Sequence, residues 1–249
     1  MNGGLNPLLV DQCRVLFNES AEGTPHSLFK EKGGATGFPR VTLMNSTFKN
    51  SSSGLLGLNR VENMDLVKNV LLSTVDGDGI KPGDNIEFDL VEIYDTARGV
   101  GSHSDGYQWT GSPTDGVTGF NKINRNCIWM PSNDSINTMD TIGANNACLY
   151  FDPDWGPNSG EVAITEIHAD RCFLNGGGFT FYVICESSGG YLTRDIKLTN
   201  SWFGLDYGFG FARDIATPGG ISSDGDGISV WENNRRIDSG ELIPKPNVS

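Results

Sequence analysis

Two side chains able to transfer protons lie two residues apart in a glycine-rich stretch, at His103 and Asp105. Residues two apart on an extended backbone project from the same face. An imidazole beside a carboxylate can act as a general base or bind a metal. Tyr107, Gln108 and Trp109 follow directly and could stack on a sugar and hydrogen-bond to it. We predict a catalytic pair with three ligand-binding neighbours; alternatively, His103 and Asp105 only pin a turn by hydrogen bonding to the backbone.

A second candidate site is formed by Glu166, His168 and Asp170, which alternate along one strand-like segment. Alternation places all three on the outward face of a coil, where they could line a cleft or hold a divalent ion. We include Glu166 and His168 with the candidate catalytic residues. Solvent-facing polar positions of a half-buried strand have the same pattern in sequence, so that interpretation stays open.

Calcium is considered because three acidic pairs have the spacing of oxygen ligands. No complete calcium-loop motif surrounds any of them, and turns rich in Asp and Gly are commoner than calcium sites. We therefore predict no metal site and no cofactor, with calcium as the alternative. The pairs are Asp76 with Asp78, Asp152 with Asp154, and Asp224 with Asp226.

Large aromatic residues are concentrated towards the C-terminal part of the chain. We rank core packing first among their roles, a subunit interface second and a sugar-binding shelf third. For the shelf, Trp202 and Tyr207 are the predicted ligand-binding residues. The full set is Trp109, Trp155, Trp202, Phe203, Tyr207, Phe209, Phe211 and Trp231.

The elements that would position these side chains are short strands that recur along the chain. Asn or Asp precedes a bulky apolar residue by three positions at intervals of about 20 to 35 residues, which is typical of solenoids. One gap, of 57 residues between Asn69 and Asn126, can hold two ordinary rungs. In a parallel β-helix, Asn at a bend can hydrogen-bond to its counterparts in adjacent rungs. We predict an all-β, single-stranded right-handed parallel β-helix, and the alternative is an antiparallel sandwich. The polar anchors are Asn45, Asn69, Asn126, Asn146, Asp170, Asn200 and Asn234.

Composition limits both the architecture and the partners. The chain has 249 residues and 33 glycines, and no segment has a clean helical period, so we expect very little helix. Residues 1–38 lack the repeat and are predicted to be an irregular capping or attachment segment, and 39–249 the β-helix domain. The net charge of −13 argues against nucleic acid as a partner. The five cysteines are odd in number and lack metal-ligand spacing, which indicates buried free thiols.

Export and membrane insertion are not expected. No run of about 18 apolar residues occurs, and the start lacks the charged and apolar regions of a secretory signal.

Four stretches of the chain resemble right-handed parallel β-helix proteins of the pectin lyase-like superfamily, and more narrowly the tailspike-like proteins of bacteria and phages. The match covers roughly residues 86–244. The superfamily contains polysaccharide lyases, hydrolases and phage tailspikes, but its polygalacturonase pattern is absent from this chain, which puts catalysis in doubt. The stretches are His103–Gln108, Leu174–Thr180, Phe203–Gly208, and Trp231–Asn233 with Asp238–Gly240.

Three classes of function follow from these observations. The first is a phage virion protein, such as a tail spike, fibre or capsid appendage, with a structural role and host-glycan binding. The resemblance implies a homotrimer that contacts other virion proteins and locates to the virion. The second is a polysaccharide lyase or hydrolase acting in a groove of the coil. The third is a non-catalytic carbohydrate-binding module of a larger, extracellular protein.

Overall fold

The computed structural model describes residues 8–16, 41–51, 64–74, 79–80, 82, 86–94, 103–110, 121–130, 144–153, 164–185, 193–215 and 227–247. These residues form strands and no helix, which confirms the all-β prediction for the described part of the chain. The strands are rich in Ile, Val, Phe and Thr, and several alternate buried with outward positions, as half-buried strands require.

Nineteen strands are described. They are β1 (Leu8–Asp11), β2 (Arg14–Leu16), β3 (Val41–Ser51), β4 (Met64–Thr74), β5 (Glu87–Tyr94), β6 (His103–Thr110), β7 (Asn121–Asn124), β8 (Cys127–Met130), β9 (Ala144–Asp152), β10 (Ile164–Thr165), β11 (Ile167–Asp170), β12 (Phe173–Gly176), β13 (Phe179–Ile184), β14 (Thr193–Arg194), β15 (Ile196–Thr199), β16 (Trp202–Phe203), β17 (Gly210–Ile215), β18 (Ile228–Glu232) and β19 (Arg235–Arg236).

These strands pair in parallel and form three sheets. A large sheet of thirteen strands curls into a half-barrel. A four-stranded sheet has the order β17-β13-β9-β6, and β10 pairs with β14 in a two-stranded sheet. Among the described residues, the antiparallel contact is the bridge between Arg235 and Leu242. Parallel pairing excludes the antiparallel sandwich for this part of the chain.

A column of bends crosses the large sheet. Each bend residue follows a position that is in register with its neighbours, from Asp11 opposite Met44 to Thr199 opposite Glu232. At seven of the bends φ lies between 47° and 56°, a backbone region that residues other than Gly adopt rarely. The bend therefore holds because the strands on both sides are fixed by pairing. The seven residues are Gln12, Asn45, Leu90, Arg125, Arg171, Asn200 and Asn233.

At several of the bends, the backbone N–H group of the residue directly after the bend donates to the side chain that directly follows the neighbouring bend. The Asn126 Oδ1 atom accepts from the Val91 N–H at 2.9 Å, and the Asn234 Oδ1 atom accepts from the Ser201 N–H at 3.1 Å. Ser201 in turn accepts from the Cys172 N–H at 3.1 Å. Buried N–H groups need such partners, so this column of small polar residues supports the bends from inside.

The predicted Asn pattern is therefore correct in kind and wrong in register. Asp170 lies one position before a bend, Asn45 and Asn200 lie at bends, and Asn126 and Asn234 lie one position after. The apolar side chains three positions after these polar residues therefore do not all point in the same direction. Phe48 and Phe203 point into the core, whereas Trp129 and Ile237 are exposed.

The core lies between the large sheet and the four-stranded sheet. Trp109 stacks on Phe151 with ring centroids 4.6 Å apart, and the edge of Phe88 meets Tyr107 at 5.1 Å. Further along, Trp231 contacts Phe181 with ring centroids 5.7 Å apart. The continuous aromatic row gives the parallel strands one shared apolar interior.

The boundary predicted at residues 38/39 does not coincide with the start of the sheet. β1 and β2 both pair in parallel with β3, so residues 8–16 belong to the sheet. At the other end, Arg236 donates its N–H to the Glu241 carbonyl and Ile243 donates to the Asn234 carbonyl. This short antiparallel return covers the edge of β19, a position at which an open strand would invite pairing with other chains.

All five cysteines are free, as predicted. Cys148, Cys172 and Cys185 are buried, whereas Cys13 and Cys127 are half-buried, which corrects the expectation of uniform burial. Burial raises the pKa of the Cys172 thiol to about 12.

Within the described residues, no helix long and apolar enough to cross a bilayer occurs.

Candidate functional site

Asp105 is a residue of strand β6, and its side chain is fully buried. Its Oδ1 atom accepts from the Ala147 N–H at 2.9 Å, and its Oδ2 atom accepts from Gln108 Nε2 at 3.1 Å. The strand register shifts between Ser104 and Asp105, so the carboxylate supports β9 at an irregular step in the pairing. Asp105 thus bonds to the backbone of a neighbouring strand, and its catalytic role stays a prediction. The His103 side chain lies outside the described part of the structure, and its catalytic role stays a prediction.

The three neighbours assigned to a sugar-binding surface are buried. Tyr107 and Trp109 are at most 1 % exposed, and Gln108 is 4 % exposed. The Tyr107 hydroxyl accepts a hydrogen bond from Asn126 Nδ2 at 2.8 Å, and its ring packs against Trp109. Because buried side chains cannot contact a sugar, the prediction of these three residues as ligand-binding neighbours of His103 and Asp105 is corrected: all three lie in the protein interior.

His168 and Asp170 share the outward face of β11, as predicted, and a threonine links them. Thr199 donates its hydroxyl hydrogen to Asp170 Oδ1 at 2.7 Å. His168 Nε2 lies 3.1 Å from the same hydroxyl oxygen. Since a threonine hydroxyl has one hydrogen, His168 must donate from Nε2 in this arrangement. Glu166 is exposed at a left-handed residue between β10 and β11, with φ of 60°.

The Asp170 carboxylate is held in its charged form. Partial burial alone would raise its pKa, but hydrogen bonds from Asn200, Thr199 and Arg171 outweigh that effect and lower the pKa. The Arg171 contact is an ion pair of 2.7 Å. A carboxylate with a lowered pKa is a poor general acid at neutral pH. Any proton transfer at this face would therefore begin with His168 or Glu166.

The predicted calcium pairs lie largely outside the described residues. Asp76, Asp78, Asp224 and Asp226 fall in that category, as does Asp154. Asp152 is described and buried, and its Oδ2 atom accepts from the Tyr150 hydroxyl at 2.6 Å. Over the described part of the chain, no group of three His, Cys, Asp or Glu side chains is placed to hold a metal ion.

Exposed aromatic rings lie on the outer face of the large sheet, on β8, β12 and β16. We call Trp129, Phe173 and Trp202 the outer aromatic row. Phe173 is directly opposite Trp202 in the parallel pairing and opposite Cys127 on its other side, while Trp129 lies two residues further along β8. Trp129 is 52 % exposed and Trp202 39 %. In neighbouring parallel strands, opposite residues are about 4.8 Å apart, so the half-buried Phe173 and the exposed Trp202 are immediate neighbours. Trp129 lies opposite Asn175, two residues further along the same outer face.

The other predicted aromatic residues divide between core and surface. Phe203 is buried, Trp231 packs against the core, and its indole N–H donates to the Ile243 carbonyl at 2.8 Å. Tyr207 is half-buried, with its ring 4.5 Å from that of Phe211. Trp155 lies outside the described residues. Core packing, ranked first, thus accounts for part of the set, and Trp202 retains the exposure that a ligand shelf requires.

Trp129 is not among the predicted ligand-binding residues, although the local alternation of the sequence indicates its exposure. Ile128 and Met130 are buried on β8, so the residue between them must face outward.

Comparison of the chain with protein-family models, with curated proteins and with solved structures finds no match.

Proposed function

We propose that the described strands are the rungs of a single-stranded right-handed parallel β-helix. The parallel ladders, the recurring bend column and the core shared by two sheets support this architecture. In such a coil each rung contacts only its neighbours, so the molecule behaves as a stiff rod.

On this architecture we propose that the chain is a phage virion protein, a tail spike, fibre or capsid appendage, that binds a host-surface glycan without cleaving it. The observation that carries the glycan-binding role is the outer aromatic row. Flat rings held on adjacent strands of a sheet offer an apolar surface to the faces of sugar rings. The free thiols, and a net charge of −13 that argues against nucleic acid as a partner, support a structural role.

The glycan that binds at the outer aromatic row is expected to be neutral rather than anionic. A chain of net charge −13 repels anionic polymers in general. Arg235 lies opposite Trp202 on the neighbouring strand β19. Its guanidinium already donates hydrogen bonds to the Gly240 carbonyl and the Asn233 side chain. The row therefore offers ring faces rather than free charges.

The test is binding of the purified protein to a panel of neutral and acidic host-surface glycans. Trp202→Ala should weaken binding about fivefold, since one ring contact contributes about 1 kcal/mol. Ile237→Ala, which removes an exposed apolar side chain outside the row, is the control and should bind as the parent does. Equal binding by the parent and Trp202→Ala would refute the glycan-binding role of the row.

The proposed assembly is a homotrimer that docks onto other virion proteins. Light scattering after size exclusion, with and without calcium, measures its mass. A compact trimer supports the appendage, and a stable monomer contradicts it and favours the module of a larger extracellular protein.

A polysaccharide lyase or hydrolase is the second candidate, because His168 is half-exposed and oriented by Thr199. It predicts glycan cleavage that His168→Gln abolishes while the folded structure is retained. Intact glycans after prolonged incubation with the parent protein would exclude it.

A further inference from the structure

Arg213 lies on the outer face of the four-stranded sheet without a carboxylate partner. It is exposed, and it follows Tyr150 and Tyr182 in one register column across β9, β13 and β17. Within the described structure its guanidinium makes no hydrogen bond or ion pair; its contacts are with two rings. By contrast, Arg125 and Arg236 each make paired contacts to an aspartate.

Two aromatic rings lie against the guanidinium. Its central carbon is 5.3 Å from the centre of the Phe179 ring and 5.7 Å from that of Tyr182, which are cation–π distances. Phe179 and Tyr182 are themselves 5.5 Å apart. The rings therefore restrict the position of Arg213, and none of its five N–H donors has a partner among the described residues.

An exposed ring adjoins Phe179. Phe209 is 59 % exposed, and its ring centre is 5.5 Å from that of Phe179. Its backbone N–H donates to the Gly178 carbonyl at 2.7 Å, which fixes the segment that carries it. Phe209 and Arg213 therefore both lie beside the Phe179 ring, within reach of one small ligand.

We propose that Arg213, Phe179, Tyr182 and Phe209 form a binding site for a ligand in which a carboxylate is attached to a flat ring. The carboxylate takes two parallel hydrogen bonds from the guanidinium, the geometry for which this side chain is suited. The attached ring packs on Phe209. The site lies on a different sheet from the outer aromatic row and does not depend on the function proposed for that row.

The experiment is titration calorimetry of the full chain in buffer of low ionic strength, with benzoate as the probe. Benzamide has the same ring and no charge, and acetate has the charge and no ring. Benzoate should bind at least tenfold more tightly than either, because each compound lacks one of the two contacts.

Variants locate the site on the protein. Arg213→Gln should weaken benzoate binding at least tenfold, and Phe209→Ala should weaken benzoate without affecting acetate. Arg194→Gln makes the same charge change at another exposed arginine and should leave binding unchanged. Thermal unfolding of each variant verifies that it is folded.

Some results would overturn the proposal. They are an absence of benzoate binding, equal affinity for benzoate and acetate, or unchanged affinity of Arg213→Gln. The last would assign Arg213 to covering the rings only. Glucuronate and methyl glucoside distinguish the source of the carboxylate. Glucuronate binding that Arg213→Gln abolishes supports an acidic sugar, and binding confined to benzoate supports an aromatic acid.

Discussion

Replacing Asn126 by Leu should destabilise the protein strongly although the two side chains are similar in size. Asn126 is 1 % exposed and makes two buried hydrogen bonds. Its Oδ1 atom accepts from the Val91 N–H at 2.9 Å, and its Nδ2 atom donates to the Tyr107 hydroxyl at 2.8 Å. Leu leaves both partners buried without a hydrogen bond, at about 1 to 3 kcal/mol each. With about 2 kcal/mol for each partner and about 2 kcal/mol regained by burying an apolar side chain, we expect a net loss of about 2 kcal/mol.

Equilibrium urea unfolding followed by tryptophan fluorescence measures this loss. The corresponding fall in Tm is about 4 to 8 °C for a chain of this length. Asn124→Leu is the matched control, because Asn124 ends strand β7 just before the bend, points outward and makes a 3.3 Å hydrogen bond to Glu87. It should change stability by less than about 0.5 kcal/mol.

A double-mutant cycle then separates the two hydrogen bonds. Tyr107→Phe should destabilise the parent by about 1 kcal/mol and the Asn126→Leu variant by less, since its partner is already absent. The reasoning is refuted if Asn126→Leu is as stable as Asn124→Leu, or if the two losses add without coupling. Either result would mean that the side chains inside the bends do not support them.

Three further predictions concern backbone, charge and thiols. Gly176 has φ of +106°, and the Met130 carbonyl occupies the position of a Cβ atom. Gly176→Ala should therefore lower the free energy of unfolding by more than about 3 kcal/mol. Gly240→Ala, at φ of +71° with open space around it, should lower it by only about 1 kcal/mol in the same unfolding assay. Because hydrogen bonds lower the pKa of Asp170, its stabilising contribution is complete above the unfolded pKa of about 3.9 and is lost as pH falls through the folded pKa. The stability difference between parent and Asp170→Asn should therefore be constant above about pH 5 and shrink below about pH 4; a constant difference down to pH 3 would contradict this. Burial raises the pKa of Cys172 to about 12, so at pH 8 it should react with a disulfide reagent only when the protein unfolds, and rapid labelling of native protein would show the thiol to be accessible.

The strand content and the parallel repeat were predictable because they depend on local patterns. Alternation in Ile167–Asp170 and Ile196–Thr199 specifies one buried face whatever the strand pairs with. The polar residues of the bends were also visible. Their register was not, because Asp170, Asn200 and Asn234 look alike in sequence but lie before, at and after the bend. Only the pairing of strands distinguishes these positions.

The candidate sites were harder to predict because burial depends on what covers a strand. Asp105 and Trp109 have the residue types of a sugar site, yet a second sheet encloses them. Trp202 was found because it was counted among several aromatic residues with open roles. No sequence pattern indicated Arg213, because its contact with two aromatic rings arises only when the strands pair in the folded protein.

Composition and local pattern alone thus established an acidic, helix-poor chain of recurring short strands with free thiols, because each of these properties is fixed residue by residue. The tertiary structure decided which face of each strand is covered, which polar groups meet across strands and which rings stay exposed. Hydrogen bonds such as that from the Val91 N–H to Asn126 Oδ1 join residues 35 positions apart. Contacts of that range follow from strand register, and register is set by the packing of the whole sheet.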